Sequence, residues 1–183
     1  MAKTLIGSAH TASGSPAVIT ITGIDNTYKV YEFHFYNMHP SDNQQDFVFQ
    51  VNDSGDEGGA FDESPIQSTF FDAFHNEAGT DTDLTYVATR DLANAANFQP
   101  LFDKVTNADA EASVSGVLTL YDPSSTTFVK HFMSRAQGMH HSTYAADCFA
   151  AGYINDATAI TEIRFKFASG SIDSGTIKMF GVT

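Results

Sequence analysis

Residues 160–182 read ITEIRFKFASGSIDSGTIKMFGV, and their pattern decides the fold class. Ile163, Phe165 and Phe167 alternate with Glu162, Arg164 and Lys166. A period of two marks a strand with one buried and one wet face. Residues 168–176, ASGSIDSGT, hold the Ser, Gly and Asp residues that reverse a chain. Residues 176–182 then run as a second strand. Taken together they predict a closing β-hairpin of an all-β sandwich, with the C-terminus tied into a sheet.

Working outward, the same period recurs in residues 28–38, where Tyr31, Phe33 and Phe35 alternate with Val30, Glu32, His34 and Tyr36. The first set is expected in the core and the second outside. A break at residues 39–43 (HPSDN) leads to Phe47, Phe49 and Val51, which define a neighbouring strand, read as a hairpin or close antiparallel partner. Residues 17–22 form a short β-branched strand. Residues 114–121 and 128–133 flank a DPSS turn and read as a pair. Residues 66–75 have a mixed period that assigns no element, and residues 84–89 read as a strand. Residues 137–142 are expected to loop, and residues 143–154 to form a strand packed on both faces. Residues 91–105, DLANAANFQPLFDKV, are the only candidate helix, broken by Pro100. Eight to ten strands with regular turn signals and no βα alternation predict an antiparallel β-sandwich, jelly-roll-like, with one short helix at most. Residues 1–16 are small and polar and form an N-terminal arm or edge strand. Residues 17–183 form the single sandwich domain. In the arm, Lys3, Leu5 and Ile6 are the candidate interface residues, ordered against a second chain.

Composition constrains function. Sixteen Phe, seven Tyr and no Trp predict a Phe-built core, and one cysteine, Cys148, permits no internal disulfide. Nine basic residues face twenty-two acidic ones, a net charge of −13. That balance repels duplex nucleic acid and anionic lipid, so neither is an expected partner. No apolar run reaches the length of a membrane span and no signal segment opens the chain, so synthesis in a cytoplasm is expected.

Motifs for chemistry are sparse. Residues 52–64 offer Asp53, Asp56, Glu57, Asp62 and Glu63, oxygen donors on a Gly-rich backbone that suit a hard cation. The spacing departs from the calcium loop: Gly55 holds its third position from Asp53 and Ser64 its twelfth. Asp53, Asp56 and Glu57 are therefore weak metal candidates, and a solvated acidic loop is the ordinary reading. His140 and His141 are adjacent and expected to point apart, while His34, His39 and His131 sit in or beside strands. Cys148 reads as a small buried hydrophobe. The sequence lacks a G-x-S-x-G elbow, a P-loop and a dinucleotide fingerprint. No enzyme activity and no cofactor are expected. Tyr36, Tyr121 and Tyr153 suit stacking on sugar rings or an interface, against the plainer reading of partly buried core.

Three phrases carry a resemblance: residues 28–55 (YKVYEFHFYNMHPSDNQQDFVFQVNDSG), 121–135 (YDPSSTTFVKHFMSR) and 163–182 (IRFKFASGSIDSGTIKMFGV). The chain resembles the small virion structural proteins of marine tailed phages. The resemblance implies a capsid decoration or cement protein, made in the host cytoplasm and placed on the virion. It also implies a homo-oligomer, for which a trimer is expected, with phage capsid or tail proteins as partners. The alternative it leaves is a tail-fibre or tail-tip component whose sandwich binds host surface glycans. It carries over no catalytic residue.

Overall fold

The alternating stretches become strands; residues 114–121 and 130–133 pair as expected, whereas the two expected hairpins at 28–51 and 160–182 do not form. The structure, a computed structural model, describes residues 2–56, 58–61, 64–141 and 143–183. Thirteen strands follow one another: β1 Lys3–Thr11, β2 Ile19–Thr22, β3 Val30–Pro40, β4 Gln45–Asp53, β5 Ile66–Asn76, β6 Thr82–Tyr86, β7 Ala93–Ala95, β8 Gln99–Val105, β9 Val114–Tyr121, β10 Lys130–His140, β11 Tyr144–Ile154, β12 Ile160–Phe167 and β13 Ile172–Val182. A 3-10 turn at Ala88–Arg90 is the only helical geometry among the described residues. The chain is all-β, and all of its pairings are antiparallel.

Two layers emerge from the pairing. The long one runs β1-β13-β3-β9-β10-β11-β5, with β6 and β7 both on the far edge of β5. The short one runs β8-β4-β12-β2. One pair, His140 with Val105, joins them into a continuous sheet that curls into a near-barrel.

The closing hairpin is not formed. β12 pairs with β4 and β2, whereas β13 pairs with β1 and β3, so residues 168–171 carry the chain from one layer to the other. β3 and β4 part in the same way at residues 41–44, because β3 pairs with β13 and β9 and β4 with β12 and β8. The two crossings touch. Ser41 N–H donates to Ser171 O at 3.0 Å, and Ser171 N–H donates to Ser41 Oγ at 2.8 Å. A bulge in β13 between Ser174 and Thr176 follows, centred on Gly175 at φ 128°, where a Cβ would stand 2.6 Å from Met38 Sδ.

The core lies between the layers and is built of Phe, as expected. Phe33 of β3 meets Phe165 of β12 at 5.8 Å between ring centres, Phe35 meets Phe47 at 5.1 Å, and Phe49 meets Phe132 of β10 at 5.1 Å. Tyr31, Phe33, Phe35, Phe47, Phe49, Phe165 and Phe167 are all buried. Alternation holds in β3, whose outward residues are half-buried or exposed. In β4 it fails. Val48, Gln50 and Asn52 are buried too, because Gln50 Nε2 donates to Ser64 O and Asn97 O, each at 3.1 Å. Loops around residues 61 and 98 thus cover the outer face of the short layer, with Arg164 over the Phe61 ring at 4.0 Å and Lys166 over Phe98 at 4.5 Å.

Other expectations are corrected. Residues 91–105 hold no helix but β7 and β8. Pro100 sits opposite Val48 at the rim of the short layer, where a missing N–H is tolerated. Residues 137–140, read as loop, continue β10. Residues 66–75, unassigned from their period, lie in β5.

Candidate functional site

The N-terminal segment forms β1, an edge strand hydrogen-bonded along β13, so it is ordered within its own chain rather than free. Lys3 Nζ lies 2.5 Å from Glu32 Oε2, two strands away on β3. Burial raises the Glu32 carboxyl, but its bonds to Lys3 and His34 outweigh this and hold it below the usual range. Leu5 is 46% exposed, while Ile6 packs against the core. Of the three interface candidates, Lys3 and Leu5 are exposed, and Leu5 is the apolar one. The other side of β1 is an open edge among the described residues.

The outer face of the long layer carries apolar residues among polar and charged ones on β10, β11 and β5. Phe71 and Phe149 are cross-strand partners stacked at 4.8 Å, with Arg135 over the Phe149 ring at 5.0 Å. Leu84, Phe128 and Met133 are exposed, Phe128 at 70%. A shallow cleft of ≈ 470 Å³ brings Tyr121 and Tyr153 together, with His131 between them and Ala151 on its floor. Sequence reasoning named both tyrosines but had no means to join them.

A charged cluster bridges the layers near their junction. The Arg90 guanidinium donates from Nε to Asp103 Oδ1 at 2.8 Å, with Nη2 on the same oxygen, and its Nη1 lies 3.1 Å from Asp46 Oδ2. His140 Nε2 stands 3.6 Å from Asp103 Oδ2. Burial pushes the Asp46 carboxyl up to about 6 despite Arg90. Asp103, equally buried, is held well below the carboxylate range because His140 and Arg90 both bind it. Arg90 comes from the 3-10 turn, Asp46 from β4, Asp103 from β8 and His140 from β10. No spacing in the sequence links four such distant residues.

The remaining candidates are dispersed. Asp53 Oδ1 accepts from Gly55 N–H at 2.6 Å, an ordinary turn contact, and Asp56 O accepts from Gly59 N–H at 2.9 Å. Glu57, Asp62 and Glu63 lie outside the described residues. Among the described residues no three His, Cys, Asp or Glu side chains gather as a metal site. The rings of His140 and His141 do not point apart: β10 ends at His140, and their centres are 4.2 Å apart. Cys148 is buried on the inward row of β11, where burial pushes its thiol up. Among the described residues no helix is long and apolar enough to cross a membrane.

No family model matches the chain, and neither curated proteins nor solved structures provide a match.

Proposed function

We propose that this protein is a structural component of a phage virion, a decoration protein seated on the outside of the head across capsomer joints, and that its framework is a jelly roll. One observation carries this reading. Eight strands pair as a nested set: β1 with β13, β2 with β12, β3 with β9, and β4 with β8. The first pairs with the last, the second with the last but one, and so inward. That is the winding of a paired ribbon folded into two layers. β5–β7 are inserted between the fourth and fifth framework strands, and β10–β11 between the sixth and seventh. Jelly rolls serve in viral capsid and lectin domains, so this winding favours particle building or sugar binding.

The surface tips the choice toward particle building. An open β1 edge, exposed Leu84 and Met133 on the strands and Phe128 on the loop before β10 suit burial against neighbouring subunits. The mechanism is burial of surface across joints that resist internal pressure, with a trimer of this chain as the expected unit. The test is copy number on purified particles. Hundreds of copies per particle, reduced when residues 2–11 are deleted, support decoration. A handful of copies overturns it. A second reading rests on the Tyr121–Tyr153 cleft, whose aromatic walls suit a sugar ring on a tail tip. Glycan binding that is lost in Tyr153→Ala, together with low copy number, selects that reading instead.

A further inference from the structure

Beside the charged cluster the two layers splay, and a cavity of ≈ 360 Å³ opens between β5 and β11 on one side and β8 on the other. Such barrel mouths are a common place for ligands. Asp72 stands on the inward row of β5, in register with Cys148, and is only 8% exposed. Its Oδ1 is buried and has no hydrogen-bond partner among the described residues. A buried carboxyl oxygen without a donor is costly to keep. The other lining carboxyls are engaged: Asp103 holds Arg90, and Asp81 accepts the Tyr144 hydroxyl at 2.7 Å.

The charge of the lining indicates the missing donor. Three carboxyl groups, Asp72, Asp81 and Asp103, line it with one ammonium, Lys104, and the imidazoles of His140 and His141; His140 and Arg90 are spent on Asp103, and burial favours the neutral form of His141. A cation is favoured. A divalent metal wants several oxygen ligands, and the described side chains offer no such group here. A single ammonium needs less. Phe74 and Tyr144, edge to face at 5.3 Å, form an aromatic wall for it, and Phe74, Val87 and Ala146 supply apolar surface for a methylene stem.

We propose that this cavity binds an alkylammonium group, its nitrogen donating to Asp72 Oδ1 and its methylene chain lying along Phe74 and Val87. The group is either a free amine or the lysine side chain of another protein, and the inference does not depend on the virion reading.

The experiment titrates the full chain at low salt with n-butylammonium, with acetyl-Gly-Lys-Gly-amide and with n-butanol, followed by NMR shifts of Asp72, Phe74 and Tyr144. Saturable shifts with either cation, and none with butanol at the same concentration, are expected. Preference for butylammonium assigns a free amine, and preference for the peptide assigns a lysine side chain. Asp72→Asn keeps the shape and removes the charge, and should weaken binding by about tenfold or more. Ala146→Val narrows the cavity while leaving Asp72 in place, and should also weaken it. Absence of binding by both cations overturns the proposal. So does equal binding of butanol, or unchanged affinity in folded Asp72→Asn.

Discussion

The interior has two ends, and they hold the layers together by different means. Around β3, β4 and β12 the gap is filled by Phe33, Phe35, Phe47, Phe165 and Phe167, in contact across the layers (Phe33–Phe165, Phe35–Phe47) and within the short one (Phe47 with Phe165 and Phe167). Along β5, β10 and β11 the inward row turns small beyond Phe70 and Phe132, with Ala136, Ala146 and Cys148, and there the layers are bridged by Arg90, Asp46, Asp103 and His140. Volume secures the first end, charge the second. Only the second leaves space for a guest.

The largest effect should come from the ring-filled end. Phe165→Ala is expected to lose about 3–5 kcal/mol in urea unfolding, whereas Cys148→Ala at the other end should lose only about 1 kcal/mol. Equal losses would break the contrast. Next comes Arg90→Ala, which leaves Asp46 and Asp103 facing each other without a cation. It should destabilise by about 1–3 kcal/mol at neutral pH and by less at pH 4, where protonation relieves the pair. A loss independent of pH would mean that Arg90 acts by packing alone.

A smaller effect is the pH dependence of the intact protein. Asp46 titrates at about 6 rather than 3.8, so the folded state holds this proton more tightly than the unfolded chain. Its contribution is whole below the ordinary carboxylate value and is lost as pH rises through about 6. Asp103 runs the other way, its contribution being present above the ordinary value and lost as the pH falls. His141, held neutral by burial, opposes Asp46 in the neighbouring window. The readout is therefore a difference: Asp46→Asn should remove the decline between about pH 4 and 6 relative to wild type, in denaturant midpoints taken at several pH values. The smallest effect is at the β1 edge. Leu5→Asp should change stability by no more than about 0.5 kcal/mol, yet weaken self-association in sedimentation. A large stability loss would place Leu5 in the core rather than at a contact.

The ring-filled end was largely legible in the sequence because a period of two names the buried face of a strand without knowing its partner. Tyr31, Phe33, Phe35, Phe165 and Phe167 follow from that alone. One partner followed from a turn, β9 with β10 around DPSS, but those of β3, β4, β12 and β13 did not. ASGSIDSG encodes a reversal, and a reversal within one layer uses the same residues as a crossing between layers; β12 and β13 cross. Gly138 in β10 looked like loop, yet it is a residue of close approach: a Cβ there would stand 2.7 Å from Ser113 O. In residues 91–105 the Ala and Leu content suggested helix, and tertiary pairing of β8 with β4 prevailed. The charged end was illegible because Arg90, Asp46, Asp103 and His140 meet only after four separate elements have folded, and nothing local marks them.

The nested pairing also dictates an order in time. β1 finds its partner only in β13, the last of the thirteen strands, and β2 only in β12. Ribbon pairs with such sequence separation close long loops before they gain contacts, so refolding should fall on the slow, roughly millisecond-to-second side of single domains. The innermost pair, β4 with β8, and the local runs β9–β10–β11 need no such wait. On a ribosome β1 thus emerges well before the β13 it pairs with, and until then its edge is open to the wrong partner.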